Sequence, residues 1–223
     1  MGDVSVDSAE MKDFKLGKPA LVCRWRLASG KLPLENRHLR ALGKRSVSQS
    51  PVSTQLIAWA KQHIEWTLTD GSATNPDGVL MLIIDDAGQA AMTVGPYEGL
   101  SNADSGTLFA RALNAAAEAD ETGVAPETLW LVRDGQLVAG IAPGQSASGA
   151  ASLVEDLAKT VGMPVVRVAG LADSCADGLE RFDEVFLASD EHGIVPAADA
   201  CGPTSRRLAD GYARLLDSMS KRR

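Results

Sequence analysis

The chain has 223 residues, 45% apolar and 23% charged, enough to bury one large core or two small ones. Its formal net charge of −7 argues against nucleic acid and against an anionic membrane surface as partners. No apolar run approaches the ~20 residues of a membrane span, and the opening stretch MGDVSVDSAEMKDF lacks the apolar core of a secretion signal, so a cytoplasmic protein is expected.

Residues 1–15 are polar and unpatterned and read as a flexible lead-in. Ala20 to Leu27 alternates imperfectly and predicts a strand, ended by the Ser29-Gly30-Lys31 turn. Pro33 to Leu42 and Gln55 to Trp66 carry apolar residues at spacings of three and four and predict two amphipathic helices. Val79 to Ile84 (VLMLII) predicts a buried strand, Asp85 to Gly88 a turn, and Ala90 to Val94 another strand. Gly95 to Gly106 is rich in Gly, Asn, Asp and Ser and reads as a linker, divided here as lobe 16–96, linker 97–106 and lobe 107–223.

The second lobe is expected to open with a helix over Thr107 to Ala119. A hairpin follows, Leu129 to Val132 and Gln136 to Val138 around Arg133-Asp134-Gly135. The small-residue loop Gly140 to Gly149 leads to a helix over Ala151 to Val161 and a strand over Val165 to Val168. Val185 to Ala188 predicts a buried strand, Ser189 to Gly193 a polar turn, and Ile194 to Pro196 a second extended piece. Gly202-Pro203-Thr204 opens a last helix with Leu208, Tyr212, Leu215 and Leu216 on one face. Lys221 to Arg223 forms a basic end that complements the dipole of that helix. Cys23, Cys175 and Cys201 lie far apart without C-x-x-C spacing and read as free thiols. The alternation of strands and helices predicts an α/β protein in two lobes.

The segment Phe182 to Leu216, with its DEVFL…VP…GPT…L…Y wording, resembles the C-terminal end of the class IV aminotransferases. These are the fold type IV pyridoxal-phosphate (PLP) enzymes, among them branched-chain and D-amino-acid aminotransferases and aminodeoxychorismate lyase. The resemblance extends through Leu34 to Leu42 (LENRHLRAL), Leu129 to Val138 (LWLVRDGQLV), Ile141 to Ser146 and Leu157 to Val165. It implies a D-amino-acid aminotransferase-like fold, with an α+β N-terminal lobe and a barrel-like α/β C-terminal lobe. It also implies a homodimer.

Such enzymes need a lysine for the Schiff base, which the resemblance places near Ser105; no lysine occurs between Lys61 and Lys159. The glutamate that would pair with the pyridine nitrogen is absent from Ala139-Gly140. The phosphate-binding arginine falls on Ala41, with Arg37 and Arg40 as neighbouring substitutes. Gly144, Gln145 and Ser146 keep half of a phosphate cup built from helix N-terminal amides and hydroxyls. The other half, a glycine-threonine pair in the family, reads Ser189-Asp190, and an aspartate there opposes a phosphate dianion.

Asp190, Glu191 and His192 share one turn and could act as acid and base or hold a metal, against the blander reading of a solvated polar turn. No metal site is expected. His38 is read as structural in preference to a general base, and His63 as a satisfied core histidine. The expectation is a pseudoenzyme of this fold, with a binding or partner role and a small molecule in the former PLP pocket. The alternative is an active aminodeoxychorismate lyase or amino acid aminotransferase using PLP at a non-standard amine.

Overall fold

The computed structural model describes residues 15–221; the lead-in over residues 1–14 and the last two arginines lie outside the described residues. The N-terminal part is a three-stranded antiparallel sheet of β1 (Pro19–Arg26), β4 (Val79–Asp85) and β5 (Ala90–Gly95), in the order β1-β4-β5. Between β1 and β4 run α1 (Glu35–Leu42), the small ladder of β2 (Ser46–Val47) and β3 (Ser50–Pro51), and α2 (Thr54–Gly71). In β1 the side chains alternate as a pleat requires: Leu21, Cys23 and Trp25 face the core, and Val22 and Arg24 face out. The run VLMLII makes β4 the central strand, with Val79, Leu80, Leu82 and Ile84 fully buried. Ser53 starts α2 by accepting the Leu56 amide at 3.1 Å, and Ala60 and Ile64 on its inner face meet this sheet.

The C-terminal part is a five-stranded sheet in the order β10-β9-β6-β7-β8. Its strands are β6 (Glu127–Arg133), β7 (Gln136–Ala139), β8 (Val165–Arg167), β9 (Glu184–Ser189) and β10 (Gly193–Pro196). All neighbours run antiparallel except β7 and β8, which α4 (Gly149–Thr160) joins as a crossover. The β6–β7 turn is Asp134-Gly135, both at positive φ (50° and 75°), the backbone that a two-residue hairpin demands.

The barrel-like lobe expected from sequence takes the form of this sheet with helices on both faces. On one face, Trp130, Leu137, Phe186 and Ala188 pack on α4 and on α6 (Pro203–Lys221) through Val154, Leu208 and Tyr212. On the other, Leu129, Leu131, Val185 and Leu187 pack on α3 (Ser105–Thr122) and the short α5 (Leu171–Ala176). Asp104 caps α3 by accepting the Thr107 amide at 2.7 Å, and Gly123 ends it at φ 88°. Glu184, the residue that opens β9, reaches the start of α6 and accepts the Thr204 and Ser205 amides at 3.0 and 2.7 Å. Among the described residues no helix is long and apolar enough to cross a membrane.

Candidate functional site at the lobe junction

The two sheets meet where the end of β1, helix α1 and the turn after β9 come together. Asp190 is the meeting point. Its backbone N–H donates to the Pro126 carbonyl at 3.1 Å, and its carbonyl accepts the Arg26 amide at 3.1 Å, stitching β1 to the C-terminal sheet. Its side chain is only 4% exposed and turns away from solvent to the N-terminus of α4, where Oδ1 accepts the Ala150 amide at 2.8 Å. Ser148 caps the same helix by accepting the Ala151 amide at 3.2 Å.

From the other lobe, α1 presents His38. The ring is 3% exposed, stacked on Trp25 with centroids 5.2 Å apart, and its Nδ1 lies 3.6 Å from Asp190 Oδ2. That separation exceeds hydrogen-bond length, so Nδ1 is left without a hydrogen-bond partner. Burial would push the Asp190 carboxyl pKa up. The charge of His38, the Ala150 amide and the Arg45 guanidinium outweigh burial and hold it below the ordinary carboxylate value. Arg45, just past α1 and itself buried, pairs with Glu118 of α3 at 2.9 Å.

Ser189, fully buried, is a second hub. Its hydroxyl donates to Glu127 at 2.8 Å and accepts the Glu191 and His192 amides at 3.2 and 3.0 Å, while Arg111 holds Glu127 at 2.7 Å. Glu191 closes on Arg24 of β1 through both carboxylate oxygens at 2.6 Å. His192 is half-buried with Nδ1 3.4 Å from the Tyr97 hydroxyl, and the Arg26 guanidinium sits 3.5 Å over the Tyr97 ring. Burial lowers the His192 pKa, and the charges of Arg111 and Arg24 add to it against the opposing Glu191 and Glu127. Beside these pairs a cleft of about 370 Å³ opens between β1 and α3, lined by Arg24, Arg111, Glu118, Glu127, Ser189 and Glu191 among others.

The structure thus brings Ser189, Asp190 and His192 together at the junction and leaves other sequence candidates apart. The solvated polar turn is corrected: Ser189 and Asp190 are buried because each meets a partner from another element, Ser189 donating to Glu127 of β6 and Asp190 accepting the Ala150 amide of α4. Arg40 points away from the junction. It lies one position off the buried stripe His38, Leu39, Ala41 and Leu42, is exposed, and donates to the Asn36 carbonyl of its own helix. Ser105 begins α3 and is held by Asp199 through its amide and hydroxyl, both at 2.8 Å. Gly144, Gln145 and Ser146 form a turn before α4, with Gly144 at φ 85°; the amides that open the helix belong to Gly149, Ala150 and Ala151. His63 is half-buried outside the core, between Trp59 and Trp66, with Nδ1 2.9 Å from the Trp59 carbonyl.

Arg45, Glu118, Arg111 and Glu127 were invisible as site residues. Their partners lie 73 and 16 residues away, and no local motif links them. Gly149 carried a usable signal, a glycine directly after a capping serine. Among the described residues no group of three His, Cys, Asp or Glu side chains is placed to hold a metal ion.

The fold that carries this junction is that of the fold type IV aminotransferases. Comparison with protein-family models and with curated proteins returns no match. Comparison with solved structures does. A putative 4-amino-4-deoxychorismate lyase from Legionella pneumophila superposes with a TM-score of 0.58 at 15% identity, covering 92% of this chain and 97% of that one. The PLP-bound form of a hypothetical aminotransferase from Mycobacterium tuberculosis gives 0.56 at 16% identity, covering 96% and 91%. The branched-chain amino acid aminotransferase from Escherichia coli gives 0.54 at 15%, covering 92% and 90%. At such identities the likeness is one of fold.

PLP is the cofactor this fold implies, and the residues of the junction do not fit it. No lysine lies between Lys61 and Lys159, a span that includes all of α3, β6 and β7. None of the residues lining the cleft is a lysine. At the N-terminus of α4, where a phosphate would draw on free amides, the Ala150 N–H already serves a carboxylate.

Proposed function

We propose that this protein is a non-catalytic relative of the class IV aminotransferases and aminodeoxychorismate lyases, serving as a binding or partner subunit. Its setting is a cytoplasmic homodimer. One observation carries the reading: the head of α3, where the resemblance places the Schiff-base lysine, holds Ser105 tied to Asp199, with no amine near it in sequence. Without that amine there is no covalent anchor for an aldehyde cofactor and no base to move a substrate proton. The cleft between β1 and α3 is the place for a small-molecule ligand. Its wall alternates guanidinium and carboxylate groups, which favours a compact polar or zwitterionic molecule over an apolar one.

The test is a visible absorption spectrum of the purified protein after incubation with PLP, followed by borohydride reduction and peptide mass mapping. Colourless protein without a pyridoxyl-lysine is expected. A yellow band and a reduced adduct on a lysine would overturn the reading. They would make the protein an active lyase or aminotransferase with a relocated amine.

A further inference from the structure

A strand at the edge of a sheet carries backbone groups with nothing to bond, and stable edges are blunted by charge, by proline or by a covering element. The five-stranded sheet ends at β8, whose inner side pairs with β7. At the ends of that ladder the Leu137 amide donates to the Pro164 carbonyl and the Val168 amide to the Ala139 carbonyl, both at 2.9 Å. Residues 164, 166 and 168 therefore turn their backbone groups inward. By alternation, the N–H and C=O of Val165 and Arg167 point to the open edge, where no group among the described residues bonds them. Val166, at the centre of the strand, is 44% exposed. Arg167, the only charge of the strand, does not guard the edge: Glu155 turns it back onto α4 through bonds of 2.8 and 2.9 Å. On that side the edge is a groove of about 360 Å³ lined by Glu155, Lys159, Met163, Val165 and Arg167. Lys159 is exposed and has no ion-pair partner among the described residues.

We infer that the β8 edge is the surface on which a second copy of this chain docks, strand to antiparallel strand, so that two five-stranded sheets become one. The inference rests on the homodimer of the proposed function and assigns its surface. The edge is complementary to itself about a two-fold axis through Val166. Val165 of each copy then faces Arg167 of the other, and each such pair exchanges two backbone bonds, which uses every outward group of both strands. Val166 meets its own counterpart in the close, non-hydrogen-bonded pair between them. The ladder stops there, because the Met163 amide already donates to the Ala158 carbonyl. The same axis lays α4 beside its counterpart, running the opposite way. Glu155 lies level with Arg167, and one turn of helix, about 6 Å, matches two residues of strand, so Lys159 lies level with Val165. Each Lys159 therefore comes opposite Glu155 of the other copy. A charge row that complements itself under a two-fold axis favours a second copy over an unrelated strand.

The test is sedimentation velocity of the full chain over a wide concentration series, for wild type, Val166→Lys and Val166→Glu. Wild type is expected to dimerise as concentration rises. Each variant should dissociate roughly tenfold more readily, because like charges meet at the axis. Mixed in equal amounts, the two variants should dimerise again, since opposite charges then meet. In wild type, hydrogen exchange at the Val165 and Arg167 amides should slow as the dimer forms, while the Val166 amide, turned toward β7, stays protected throughout. Should either Val166 variant fail to fold, Lys159→Glu on an exposed side chain carries the same test, because it sets like charges against Glu155 of the other copy. A wild-type dimer that no variant weakens overturns the inference and leaves a homodimer formed elsewhere. A mixture no more dimeric than its components also overturns it. A wild-type monomer at every concentration overturns both the inference and the homodimer, and leaves the edge to a strand of another protein. A PLP adduct would remove the non-catalytic reading and leave this one standing.

Discussion

Replacing Glu184 should loosen the terminal helix by an amount that can be worked out from its contacts. The side chain is 5% exposed, and its two oxygens serve the Thr204 and Ser205 amides at the head of α6. An N-terminal cap is worth ~1 kcal/mol, and the carboxylate adds favourable dipole energy. Leaving the buried Ser205 amide without an acceptor costs a further ~1–3 kcal/mol. Glu184→Ala is therefore expected to lose about 3 kcal/mol in urea unfolding with an unchanged m-value, or roughly 6–12 °C in Tm for a chain of this size. Glu184→Gln keeps one acceptor and should lose about half as much.

Burial would raise the Glu184 pKa, but the hydrogen bonds from Ser205 and Thr204 outweigh it and hold the pKa below its ordinary value. A depressed carboxyl stabilises above its unfolded pKa of about 4.3 and loses that contribution as pH falls through the folded value. The gap between wild type and Glu184→Gln should accordingly narrow below about pH 4. A loss under about 1 kcal/mol for Glu184→Ala would refute the capping argument.

Three further outcomes are expected. Gly193 sits at φ 74° with its Cα against the Tyr212 ring, so Gly193→Ala should cost about 2–4 kcal/mol from strain and overlap, and adding Tyr212→Leu should recover part of it in the same denaturant assay. Cys23 and Cys175 are buried, and burial pushes both thiols up to about 11, whereas Cys201 is half-buried. Iodoacetamide at pH 8 should label Cys201 alone in native protein and all three after denaturation, as read by mass spectrometry. Because the Cys23 pKa is raised, its contribution is complete below the unfolded value near 9 and is lost as pH rises through about 11. Cys23→Val should remove roughly 3 kcal/mol of that alkaline decline.

Much of the architecture was legible because it rests on local pattern. VLMLII could only be a buried strand, Asp134-Gly135 has the chemistry of its hairpin turn, and the spacing of Leu208 and Tyr212 announced α6. Helix α5 was missed because six residues, LADSCA, are too few to express a period. The β2–β3 ladder was missed because SVSQSP reads as turn residues throughout. At the junction, sequence singled out Asp190 as an opponent of phosphate, but its direction was set by residues far along the chain. The Ala150 amide that it accepts lies 40 residues away. The pairing of Arg24 with Glu191 spans 167 residues and leaves no trace in local composition.

The contact of the Asp190 carboxylate with the head of α4 also has a consequence for how the lobes depend on their surroundings. A protein whose lobe junction is completed by a free ligand gains stability only in proportion to the supply of that ligand, and loses it on dilution. A carboxylate carried on the backbone never leaves; its effective concentration is fixed by the fold and far exceeds that of a dissolved metabolite. The junction of this protein is therefore complete as soon as the chain has folded, at any concentration of anion around it.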